Sequence, residues 1–279
     1  MPDTQIDLDG YFSRIGYAGP REPTLEVLTA IQFAHATSIP FENLSILFGK
    51  GVKLDLPTLQ DKIVGSARGG YCFEQNGLAL AVLKQLGFDA FGLVGRVRWM
   101  VSEDQAAPLT HMLIHVTIDG KVYIYDGGFG GVRLTGVLEL VPDLVQPTRH
   151  EDHRLVKTGI HYTVQVDLSI ADAERNWADV CQFTLEPQSP VDYELGSWYT
   201  STHPDSLFVN NLIVERPFEG GRRMIFNDTF VERLRGCEQT VHVITSVEEM
   251  IALLGEHFDL KVSGDEERTV LAGFVCAPD

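Results

Sequence analysis

Apolar positions recur at three- and four-residue spacing through the first third of the chain, with Leu25, Leu28, Ile31 and His35 in one series and Leu59, Ile63 and Ala67 in another. That period is the mark of helices with one buried face. A third run follows Phe73, where Leu-Ala-Leu-Ala-Val-Leu-Lys-Gln-Leu carries Lys84 in its last turn and meets Gly87, the usual signals of a helix end. Residues 1–90 are therefore predicted as a helical unit. From about 91 the texture changes to short β-rich runs, Phe91–Met100, Thr110–Ile118, Lys121–Tyr125 and Tyr162–Leu168, divided by Gly, Pro and Asp clusters. This pattern predicts an antiparallel barrel or sandwich over 91–195. Residues 196–279 mix expected strands at Leu207–Val214, Met224–Phe230 and Asp259–Val262 with a helix opened by the capping-box pattern Ser246-Val247-Glu248-Glu249. The fold class is α+β, closed by an α/β segment. The acidic stretch Glu151–His153 reads as a solvated loop, and no internal repeat or low-complexity tract is visible.

At 279 residues and 44% hydrophobic, the chain can bury a core large enough for two or three compact units. Its 22 basic against 39 acidic residues leave a net charge of −17, which argues against nucleic acid or an anionic membrane as partner. An anionic ligand must then meet local donors against an unfavourable long-range field. The start Met-Pro-Asp-Thr-Gln-Ile-Asp lacks the basic and apolar character of a signal peptide, so a cytoplasmic location is expected. Cys72, Cys181, Cys237 and Cys276 are too scattered for a zinc site or a disulfide framework, and free thiols without metal are expected.

One of those thiols stands apart. Cys72 follows Arg68-Gly69-Gly70-Tyr71 at the point where a turn gives way to the third helix. The first-turn N–H groups of a helix lack partners within it and the helix dipole is positive there, so a thiolate is favoured. A nucleophile of this kind needs a base and a group to orient the base. The hairpin Ile118-Asp119-Gly120-Lys121 supplies a geometric candidate, because Asp-Gly is a strong signal for a two-residue type I′ turn. If Ile118 faces Lys121, Leu113 faces Asp126, and His111 and His115 lie on the same sheet face two positions to either side of Leu113. Diagonal neighbours in a sheet are roughly 7 Å apart, within reach of a carboxylate and an imidazole. Spacing alone leaves His111 and His115 equally placed. His35, His150, His153, His161, His203, His242 and His257 have no such support.

With these residues in view, the chain resembles the arylamine N-acetyltransferases, whose fold is related to papain-like and transglutaminase-like cysteine enzymes. The resemblance rests on Arg-Gly-Gly-Tyr-Cys-Phe-Glu-Gln-Asn around Cys72, Thr110-His111-Met112-Leu113, Asp126-Gly127-Gly128-Phe129-Gly130, Ile39-Pro40-Phe41-Glu42-Asn43-Leu44, and the stretch Ser201–Phe208. It implies a helical bundle, a β-barrel and an α/β lid around a cysteine-proteinase-like core. It also implies Cys72 as nucleophile, His111 as base and Asp126 as orienting acid, with His115 left to packing. Phe41, Tyr71, Val97 and Phe129 match positions that line an apolar acceptor slot, and Arg68 with Glu42 matches a structural ion pair. Gly127 departs from the Val or Ala common there, which puts local backbone stiffness in question. The implied reaction is ping-pong acetyl transfer from acetyl-coenzyme A, as co-substrate, to an arylamine or hydrazine, in a xenobiotic-metabolising enzyme that is a monomer or weak homodimer. The alternative is an amide synthase or other N-acyltransferase using the same triad with another acyl donor, and a peptidase is a more distant reading. The Gly69-Gly70, Gly127-Gly128 and Gly220-Gly221 pairs form no phosphate-binding fingerprint. Arg222 and Arg223 are expected at a solvated hairpin tip.

Overall fold

A computed structural model describes residues 5–276 except 103, 171 and 172. Helix α1 spans Leu8–Ile15, capped by the Asp7 carboxylate on Gly10 N at 3.0 Å and stopped at Gly16 in the left-handed region. Helix α2, Leu25–Ser38, opens on Thr24. Strand β1 is the short Phe41–Glu42, and α3 covers Leu44–Leu47. Helix α4, Leu56–Gln60, runs into a π-helical turn at Asp61–Gly65, and α5 spans Cys72–Gln85. Ala67 falls outside any helix, at φ +51°, so the helical period stops before it. Leu28, Ile31, Leu78 and Val82 pack with Ile114 and Val116, seating α2 and α5 against the barrel wall.

The central unit contains β2 (Asp89–Val97), β3 (Leu109–Ile118), β4 (Lys121–Tyr125), β5 (Leu138–Glu139), β6 (Gln146–Pro147), β7 (Asp152–Thr158), β8 (His161–Asp167) and β9 (Trp177–Phe183). They form a nearly closed antiparallel barrel in the order β5-β4-β3-β2-β9-β8-β7-β6. Leu93, Leu113, Leu155, Val164 and Phe183 fill its interior. The β3–β4 hairpin has the expected register, Ile118 opposite Lys121 and Ile114 opposite Tyr125, with Asp119 and Gly120 both at positive φ. Its type I′ twist matches that of the strands, which is why Asp-Gly sets the register.

The closing unit carries α6 (Pro190–Thr202), α7 (Leu207–Asn210), β10 (Ile213–Phe218), β11 (Gly221–Phe226), β12 (Thr229–Leu234), β13 (Gln239–Val243), α8 (Val247–Phe258) and α9 (Asp265–Ala272). Its sheet runs β1-β10-β11-β12-β13, so Phe41 and Glu42 from the first segment form its outer strand. Several expectations are corrected here. Residues 207–210 are helical, the strand expected at 224–230 is a hairpin turning at Asn227 (φ +53°), and Asp259 ends α8 in the left-handed conformation instead of opening a strand. Short apolar runs suit either state, and packing decided them. Glu151–His153 is no solvated loop: His153 is fully buried at the start of β7, and Glu151 is held by Arg222 and Arg233. Arg222 likewise sits in β11, 4% exposed and paired with Glu151 and Glu215. A sequence shows the charges but not the opposite charges that fold onto them.

Candidate active site

The approach to α5 is built by close backbone packing. Gly70 N donates to Pro40 O at 3.3 Å and Glu42 N to Gly70 O at 3.1 Å, laying the Arg68–Tyr71 segment along β1. A Cβ on Gly69 would overlap the Pro40 carbonyl oxygen, so glycine is required there by proximity. Arg68 Nη2 lies 3.2 Å from Glu42 Oε1. Burial opposes a charge on Glu42, but Lys62, Arg68 and the Leu44 N–H outweigh it and hold the carboxyl below its usual range. Glu74 accepts from Tyr71 N at 3.1 Å and from Lys62 at 2.7 Å, closing the first turn of α5.

Cys72 is the first residue of that helix and is 4% exposed, with Sγ 3.6 Å from Thr110 O. His111 and Asp126 are equally buried, and His111 Nε2 meets Asp126 Oδ2 at 2.7 Å. The other carboxylate oxygen accepts from Asn76 Nδ2 at 2.9 Å and from Gly128 N at 3.1 Å. Asn76 sits one turn beyond Cys72 on α5 and also donates to Met112 O at 2.6 Å and accepts from Gly127 N at 3.1 Å. With Nε2 engaged by Asp126, Nδ1 is the ring nitrogen left to face Cys72. Burial is the largest influence on His111 and opposes its protonation. The Asp126 carboxylate and the Cys72 sulfur overcome it together, and the imidazole is pushed up to about 10.

His115 is not brought to the carboxylate. Paired opposite Ile124, it stacks on Phe91 with ring centroids 4.2 Å apart, and Asp126, beyond the end of β4, is turned to His111 by Asn76 and Gly128. Phe41 and Tyr71 join Cys72 in one apolar cluster, and Phe129 stands edge-on to the His111 ring at 5.0 Å. Val97, opposite Cys181, is partly buried against the same barrel cluster that contains Phe129. Phe208 was not singled out from sequence. Carried by α7, it places its ring 5.8 Å from both Phe41 and Tyr71. The Tyr71 hydroxyl bonds to Ser197 of α6. Asn76 could have been found by its i+4 spacing from Cys72; Phe208 closes the Ser201–Phe208 stretch that carries the resemblance, but nothing local places it beside Cys72. Gly127 is packed tightly without left-handed backbone, since an added Cβ would lie 3.0 Å from His35 Cδ2 and 3.1 Å from the Tyr125 hydroxyl. Packing against these two rings, more than backbone freedom, accounts for glycine at that position.

Residues 24–267 match the N-acetyltransferase family model. The arylamine N-acetyltransferase of Mycolicibacterium smegmatis is 42% identical over 85% of this chain and 82% of its own length. That of Escherichia coli K12 is 34% identical over 98% of both chains. The solved Mycobacterium marinum arylamine N-acetyltransferase in complex with CoA superposes with a TM-score of 0.90 at 34% identity, covering 97% of this chain and all of the other. The chain belongs to the arylamine N-acetyltransferase family and is an enzyme of that class.

Proposed function

We propose that this enzyme transfers the acetyl group of acetyl-coenzyme A to the nitrogen of an arylamine or arylhydrazine through a thioester on Cys72. The observation that carries the reading is the His111–Asp126 pair, 2.7 Å apart and buried, with the sulfur of Cys72, at a helix start, 3.6 Å from the carbonyl of the residue preceding that histidine. In the first half-reaction the Cys72 sulfur attacks the thioester carbonyl, and the departing coenzyme A thiolate takes the proton held by His111. In the second, the amine attacks acetyl-Cys72, its proton passes to His111, and the Cys72 thiolate leaves. Asp126 fixes the imidazole and balances its charge in both. The Cys72 N–H, in the first turn of α5 where such groups lack a helical acceptor, is the proposed donor to the oxyanion.

The apolar walls supplied by Phe41, Tyr71, Phe129 and Phe208 favour a flat aromatic amine and exclude water that would hydrolyse the intermediate. The CoA complex of the M. marinum relative supports coenzyme A as the acyl carrier. Arg68 and Glu42 hold the approach to Cys72 and take no chemical part. Mixing the enzyme with acetyl-coenzyme A alone is expected to raise its intact mass by one acetyl group, and Cys72→Ala to abolish the adduct. Absence of an adduct in the wild type, with turnover intact, would rule out the covalent route.

A further inference from the structure

Arg133 is the largest fully buried side chain in the described structure. Removing a guanidinium from water costs several kcal/mol unless its donors are satisfied, so its partners reveal what it serves. Its Nη1 donates to Ala36 O at 3.2 Å, Ile39 O at 2.8 Å and Gln75 Oε1 at 3.2 Å. Nε reaches Phe129 O at 3.4 Å and makes an ionic contact with Glu215 at 3.3 Å. Gln75, three residues past Cys72 on α5, donates from its amide to Gly70 O at 2.6 Å and Pro40 O at 3.1 Å. An unbroken chain of polar contacts thus runs from the Asp126–Phe129 loop through Arg133 and Gln75 to the segment that delivers Cys72.

We propose that Arg133 and Gln75 are positioning residues that set the separation between the Cys72 helix and the His111–Asp126 pair. Gln75 is suited to the task because its oxygen takes the guanidinium on the barrel side while its nitrogen holds two carbonyls on the cysteine side. The two lid-side partners differ in kind. Arg222 meets Glu215 and Glu151 and donates to the Arg133 carbonyl O at 2.6 Å, but its hydrogen bond to the relay is to that main-chain oxygen and it makes none to Gln75 or α5 among the described residues.

This inference rests on the triad reading above, and the rate of Cys72 alkylation by iodoacetamide as a function of pH tests both. On that reading the wild type is expected to be alkylated fast at pH 6 to 7. Arg133→Met and Gln75→Met are each expected to slow it there by about 10- to 100-fold, with recovery only towards about pH 8.5, where an unpaired thiol ionises. The double variant should be no slower than the worse single one, because both cut the same chain of contacts. Arg222→Met is expected to lower Tm while keeping the wild-type pH profile. Should Arg133→Met fail to fold, the uncharged Gln75→Met decides alone. Wild-type pH profiles in the folded variants, whatever their Tm, would overturn the positioning role and leave the triad standing. A wild type without the low-pH rate would sink the triad, and this role with it.

Discussion

Arg68→Ala removes one side of the ion pair that ties the cysteine approach to β1. Glu42 is fully buried, so the carboxylate left behind cannot be rescued by water. Breaking a buried pair on one side costs about 3 to 5 kcal/mol. Two features place this case near the lower end: Glu42 keeps the Leu44 N–H at 2.6 Å and the attraction of Lys62, and Arg68 is itself 18% exposed with its Nε unpartnered. A loss of about 3 kcal/mol corresponds to a fall in Tm of roughly 6 to 12 °C for a protein of this size. Thermal unfolding by circular dichroism, together with turnover measured well below the new Tm, reads both consequences. Adding Glu42→Gln should recover part of the loss, since it removes the stranded charge. Because the Glu42 carboxyl is held below its usual range, the stability it contributes is present above that range and is lost as pH falls through its folded value. The wild-type advantage over Glu42→Gln should therefore shrink in acid. An Arg68→Ala variant with wild-type Tm at neutral pH would refute the assignment.

Two further substitutions probe the site itself. Asp126→Asn should reduce kcat by about 10⁴-fold with little loss of fold, because it removes both the charge opposite His111 and control of the tautomer; near-normal turnover in a steady-state assay would point to another acid. Gly127→Ala should cost about 1 to 3 kcal/mol, as His35 and the Tyr125 ring are buried on the two sides of the new Cβ and cannot yield freely. An unchanged urea midpoint would show that those rings move after all.

What could be read locally was settled by local chemistry. The helix behind Cys72 followed from its apolar run and end signals, and an antiparallel barrel or sandwich from short β-rich segments. The hairpin register followed from Asp-Gly, whose positive φ angles permit one tight turn, and that register brought Asp126 within reach of a histidine before any tertiary contact was known. The choice of His111 over His115 needed the fold, because Asn76 and Gly128 turn the carboxylate and Phe91 claims the other ring. The resemblance had named His111, and three-dimensional packing supplied the reason. Arg222 and Glu151 read as surface charges until distant segments folded over them, and Phe208 became part of the cysteine cluster only when α7 met β1. Hydrophobic period and turn chemistry act within a few residues, so the sequence by itself determined most of the helices and barrel strands and placed Cys72 at a helix start. Desolvation and polar pairing act through space between residues far apart in the chain, as in the bond from Asn43 to Asn211, 168 positions away, and tertiary structure alone decided which polar groups are buried together.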